Sequence, residues 1–272
     1  MSGQHALLPI AAALGARDIV RLTTHPLVVT ATIVSIAWAA IPAVRDSTVT
    51  SMAPGTALNI YLILAHSPSF LVGPATLFAA NLLATRERRA GTGALLTAAP
   101  VSVRTRTVSL LLAPLGPAIL TTVTAAVQVT AFRALGPAPS RWPTAYELAT
   151  QPATVIGAGL LGVMVARWLP YPGATAITMF ILAASFTTTA NLGRDTWLSF
   201  APWRDLVITD EHNNILGYFP GTVAWHVAYL LCLGAMAATA ALLATPGPRR
   251  GLIAAGLVAV LAAAGTGWAQ LP

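Results

Sequence analysis

The sequence predicts an all-α integral membrane protein. Three observations carry that prediction. Only 8% of the 272 residues are charged while 56% are hydrophobic, and the mean hydropathy is +0.73. Soluble domains carry roughly a quarter charged residues, so this chain cannot coat an ordinary water-exposed surface. Several apolar runs reach the length of about 20 residues that a helix needs to cross a bilayer. The arginines flank these runs instead of gathering on one face. The net charge of +7 therefore reads as topology setting, and a nucleic-acid partner is not expected.

Two absences narrow the function classes. Cys232 is the only cysteine, so an intrachain disulfide and multi-cysteine zinc sites are excluded. All fifteen basic residues are arginine. A P-loop needs its lysine on the phosphates, so any nucleotide energy must come from another polypeptide.

The chain opens on an apolar core from Ala6 to Ala16 with no positive charge before it and Arg17 and Asp18 after it. That is the wrong polarity for a signal peptide, and the segment is read as retained. Gly15 to Thr24 can form a short amphipathic helix, with Arg17, Asp18 and Arg21 on one side and Asp18 spaced to pair with Arg21. It is expected either to lie at the cytoplasmic interface or to be a frayed polar leader. Pro26 ends it. Residues 1–26 form this N-terminal segment, 27–244 a six-span domain, and 245–272 an inner loop with a seventh span.

The first span is expected over Leu27 to Val44, and Arg45 to Ala57 is a loop. The second, Leu58 to Ala84, is about 40 Å long as a helix and should tilt or kink at Pro68 or Pro74. The third, Thr107 to Phe132, contains Pro114 and Pro117. Arg133 to Gln151 reads as a proline-rich outer loop. The fourth span, Pro152 to Leu169, and the fifth, Gly173 to Leu192, are joined by the tight turn Pro170-Tyr171-Pro172. In Gly193 to Thr222 the residues Trp197, Phe200, Trp203 and Leu206 recur at helical spacing, which predicts a helix at the outer leaflet. The sixth span is Val223 to Ala244. The seventh is Gly251 to Trp268.

With the N-terminus inside, the inner segments hold ten arginines and two acids, Asp18 and Glu87. The outer segments hold five arginines and six acids. This distribution follows the positive-inside trend.

The segment from Arg86 to Arg106 stands out as basic and water-facing between two apolar runs. Glu87 to Ala99 can form a short helix whose apolar face is Thr92, Leu95, Leu96 and Ala99; Pro100 ends it, and Ser102 is a cap for the next helix. Such a face suits a partner's groove, and the arginines suit acids on that partner or anionic lipid. The alternative is an ordinary inner loop whose arginines only set topology.

The order Glu87-Arg88, Gly91-Thr92, Leu95-Leu96, Pro100-Val101-Ser102, between the second and third spans, resembles the signature of type-two ABC exporter permeases. The resemblance implies a six-helix permease core with an N-terminal interfacial helix, here Gly15 to Pro26. It also implies a cytoplasmic coupling helix that contacts the ATPase subunit through Glu87, Arg88, Arg89, Gly91, Thr92, Leu95, Leu96 and Pro100. An external re-entrant helical pair would fall over Trp197 to Gly221. The seventh span is an addition to the family core. Arg89 stands where the family often has a second acid, and Val108-Ser109 where Gly-Lys is usual.

The resemblance further implies a bacterial plasma-membrane subunit with its N-terminus in the cytoplasm. It would pair with a second permease, identical or related, and with separate P-loop ATPase chains holding ATP and Mg. No cofactor is expected on this chain. The cargo class is lipophilic or amphipathic. The alternative is a non-transporting immunity or scaffold subunit; whether the role is transport or immunity is left open by the residues.

Polar residues inside spans are costly and need a partner or a wet cavity. His66, Asn81, Gln128 and Asn191 are the substrate-path candidates, with His226 beside them; the alternative for each is an interhelical hydrogen bond. No catalytic constellation is present. Asp210-Glu211-His212 reads as a solvated turn, and no metal site is expected.

Overall fold

The computed structural model describes residues 7–45, 71–91, 101–135, 142–171, 173–191, 207–209, 215–218 and 222–271. Nine helices and one short hairpin are described: α1 Leu7–Thr23, α2 Pro26–Arg45, α3 Gly73–Arg89, α4 Val103–Leu112, α5 Leu115–Leu135, α6 Ala145–Trp168, α7 Ala174–Asn191, β1 Val207–Thr209, β2 Ile215–Tyr218, α8 Thr222–Leu243 and α9 Arg250–Ala269.

Among the described residues, four units are long and apolar enough to cross a membrane: Val103–Ala131, which joins α4 and α5, then α6, Val223–Leu243 and α9. The pair Ala12–Thr23 and Pro26–Trp38, bent by 52°, makes a fifth if counted as one span. Large apolar side chains face outward along these helices, including Ile119, Val123 and Val127 on α5 and Leu257 and Leu261 on α9. In water such faces would be an aggregation hazard; against lipid they are the ordinary surface. The chain is an α-helical membrane protein.

α6 is the axis of the bundle. It packs on α3, α4, α5, α7 and α8, and α9 leans on the far side of α8. The approach is close because α6 carries glycines where its neighbours' backbones pass. A β-carbon at Gly162 would sit 2.3 Å from the Leu77 carbonyl oxygen, and one at Gly159 would sit 2.5 Å from Cγ of Pro114. Small residues let helices meet at the backbone where no hydrophobic force drives them together. The apolar core follows from this geometry: Ala79, Ala80 and Ala84 on α3, Val163 and Ala166 on α6, and Leu22 on α1.

Several boundaries fall where expected. Pro26 does start α2, and the Pro170–Gly173 turn does return the chain, with Gly173 at φ 88°. α9 exists as a 20-residue helix. Four readings are corrected. The first helix begins at Leu7, not Gly15, because its apolar start continues the same helix. Glu87, Arg88 and Arg89 do not open a separate helix. They are the last turn of α3, where arginines complement the helix dipole, and Gly91 at φ 66° ends it. α6 starts at Ala145, seven residues before Pro152. Its start is fixed by a capping box: the Glu147 amide donates to Thr144 Oγ1 at 3.3 Å, and the Thr144 amide donates to Glu147 Oε2 at 2.6 Å. Finally, part of the segment read as helical before α8 is an antiparallel hairpin, pairing Val207 with Tyr218 and Ile208 with Gly217. β-branched Val207, Ile208 and Thr209 favour that extended form. The Trp197 to Leu206 repeat lies outside the described residues.

Candidate functional site: an ionic cluster at the root of the 92–100 segment

The last turn of α3 and the first turns of α4 flank residues 92–100. Thr92, Leu95, Leu96 and Pro100 lie outside the described residues; both ends that hold them are described. On one side Gly91 takes the left-handed conformation, with its amide donating to the Arg88 carbonyl. On the other, Ser102 caps α4 by accepting from the Thr105 amide at 3.0 Å, as the sequence predicts. An ion pair closes the root. Arg106 Nη1 donates to Glu87 Oε2 at 2.8 Å, with both side chains largely withdrawn from solvent.

A second ionic group ties this root to α1. The Asp18 carboxylate is buried at 5% exposure. Ser109 Oγ on α4 donates to it at 2.5 Å. Arg86 on α3 approaches it at 3.5 Å and Arg21 at 3.8 Å. The Asp18–Arg21 pair follows the expected spacing, but the face does not point to water. Gly15, Asp18 and Leu22 turn inward while Val20 is 60% exposed. A buried carboxylate needs a hydrogen bond and counter-charges, and α3 and α4 supply both.

Arg88 is exposed. Arg89 folds back to donate to the Leu82 carbonyl of its own helix. His25, between α1 and α2, accepts from the Leu27 amide through Nδ1 at 3.3 Å. Partial burial, and then the charge of Arg89, hold its pKa below the ordinary value of 6.5. Arg167 brings a further cation from α6 into electrostatic range of Glu87, Arg106 and Arg88.

The substrate-path candidates resolve differently. Asn81 is buried, and its Nδ2 donates to the Gly162 carbonyl at 3.3 Å, a bond between α3 and α6. His226 is also interhelical, its Nδ1 2.8 Å from Oε1 of Gln270, which joins α8 to the end of α9. Gln128 is half-buried on α5, and its Oε1 has no partner among the described residues. His66 lies outside the described residues, and Asn191 is described only as the last residue of α7. The sequence reading missed Gln151, which is fully buried on α6 with both amide atoms unpartnered among the described residues, and Thr76, whose buried hydroxyl is likewise unpartnered among them. Gln151 could have been suspected only once α6 was extended back past Pro152. Among the described residues no group of three or more His, Cys, Asp or Glu could hold a metal ion.

Comparisons with protein-family models, with curated proteins and with solved structures find nothing that matches this chain.

Proposed function

We propose that this chain is the membrane-spanning permease subunit of an ATP-binding cassette exporter. It acts in a bacterial plasma membrane, N-terminus in the cytoplasm, beside a second permease and two separate ATPase chains. The Glu87–Arg106 bridge is the observation that carries the reading. It clamps the two ends of the 92–100 segment, so a push on that segment moves α3 and α4 together instead of opening the loop. The Asp18 group extends the clamp to α1. A loop that only set topology would need arginines at its ends but no packed ion pair between them. The lack of lysine supports a partner as the site of ATP and Mg chemistry. Lipophilic or amphipathic cargo fits an interior in which Asn81 and His226 are spent on helix–helix bonds.

Purification in mild detergent tests this, with ATPase activity assayed on what is recovered. The expected result is a stoichiometric P-loop ATPase that is lost on Leu95→Asp while membrane insertion is kept. Recovery of the chain alone, even after cross-linking through residues 86–106, would overturn the exporter reading in favour of a scaffold subunit.

A further inference from the structure

At the arginine-rich end the two described acids are used within the fold. Asp18 is enclosed by Ser109, Arg86 and Arg21, and Glu87 is bridged by Arg106. A separate group of cations lies where the turn after α8 meets α4. Gly247 has φ 135°, and a β-carbon there would lie 2.9 Å from Nη1 of Arg104. Only glycine meets both the backbone angle and the close approach. The guanidinium of Arg104 settles over the turn and donates to the Pro248 carbonyl at 3.2 Å. That bond sets it beside Arg249 and Arg250, which are exposed. None of these three arginines forms an ion pair among the described residues.

The surface continues into an apolar stripe. Arg250 and Arg249 stand three and four residues before Ile253 and so share its face of α9. Ile253, Leu257 and Leu261 follow along that face at 49%, 59% and 71% exposure. Three cations at the foot of an outward-facing apolar stripe match one molecule in both parts: an anion with hydrocarbon attached.

We propose that Arg104, Arg249 and Arg250 bind the phosphate of an anionic phospholipid whose acyl chains lie along Ile253, Leu257 and Leu261. An acidic protein segment would satisfy the arginines alone, whereas a lipid engages them together with the bilayer-facing stripe that continues from them. The site does not depend on coupling to an ATPase, since it needs only the bilayer.

The test uses the purified full chain in mild detergent, titrated with phosphatidylglycerol or phosphatidylcholine and read by native mass spectrometry. Wild type should retain phosphatidylglycerol in preference, and Arg249→Gln with Arg250→Gln should weaken that retention by more than about tenfold. Arg17→Gln with Arg133→Gln removes the same charge elsewhere and should leave the preference intact. Gly247→Ala should weaken retention without removing any charge. No preference in the wild type would overturn the site, whatever the variants do. An equal loss in the Arg17/Arg133 pair would also overturn it, leaving a diffuse positive field. Displacement by millimolar inorganic phosphate would reassign the arginines to a free ion. Retained lipid with loss of a co-purifying protein would reassign them to an acidic partner.

Discussion

Asp18 and Ser109, 91 positions apart, meet in a 2.5 Å hydrogen bond between the first helix and the start of the third span. The bond makes α1 a structural member of the bundle. Asp18→Ala removes a hydrogen bond to a buried charge, worth about 1.5–3 kcal/mol. The half-exposed Arg86 and Arg21 add less than about 1 kcal/mol. Thermal unfolding in detergent should show this loss for Asp18→Ala and a smaller one for Asp18→Asn, which keeps the acceptor. A wild-type midpoint for Asp18→Ala would refute the role.

Gly162 and Gly265 make a contrasting pair. A β-carbon at Gly162 meets the Leu77 carbonyl, whereas nothing lies within 4 Å of the same position at Gly265. Gly162→Ala should cost about 1–3 kcal/mol through overpacking. Gly265→Ala should be neutral or slightly stabilising, since alanine is the better helix former by up to about 1 kcal/mol. Equal midpoints for the two variants would count against the close α3–α6 approach.

The Glu87–Arg106 bridge is partly shielded, with side-chain exposures of 31% and 17%. A double-mutant cycle with Glu87→Gln and Arg106→Gln should return a coupling of about 1 kcal/mol. A coupling of zero would mean that the two ends of the 92–100 segment are not mechanically joined.

His25 gives a pH dependence. Its pKa is lower in the folded chain than in the unfolded one, so the unfolded state binds more protons in between. The stabilisation is complete above pH 6.5 and is lost as pH falls through the folded value. Protonation also removes the Nδ1 lone pair that accepts from Leu27. The thermal midpoint should fall on acidification, and His25→Asn, which keeps an acceptor without titrating there, should reduce the fall. An unchanged pH profile in that variant would exclude His25.

Gln151 is buried with neither amide atom bonded among the described residues. Gln151→Met keeps the shape and removes the desolvated amide, and should stabilise the protein by about 1–3 kcal/mol in the same assay. A loss of stability would mean that the amide has a partner in the membrane.

The starts of α2, α7 and α9 were legible because they carry strong punctuation: Pro26 at α2, Pro170 and Gly173 before α7, Arg250 at α9. α6 was truncated in the sequence reading because Glu147 and Gln151 look like loop residues. The Thr144–Glu147 capping box was the available signal, and it was outweighed by their polarity. The inward turn of Asp18 was not legible. On a helical wheel it shares a face with two arginines, and only the distant Ser109 and Arg86 make burial affordable. The Asn81 bond to Gly162 was among the alternatives considered, but its partner is a backbone carbonyl and leaves no mark in the residue types.

At the crossing of α3 and α6 the Leu77 carbonyl passes directly against Gly162, with only the small side chains of Thr76 and Ala80 beside the α6 glycines. Small side chains interlock less deeply than large ones. Within that contact one polar bond marks the register, from the Asn81 amide to the Gly162 carbonyl. A slide of one helical turn, about 5.4 Å, would carry that amide from Gly162 towards Ala166 or Ala158, both small residues. Asn81 then works as a detent on a smooth rail, and its bond sets how firmly α3 rests in one position.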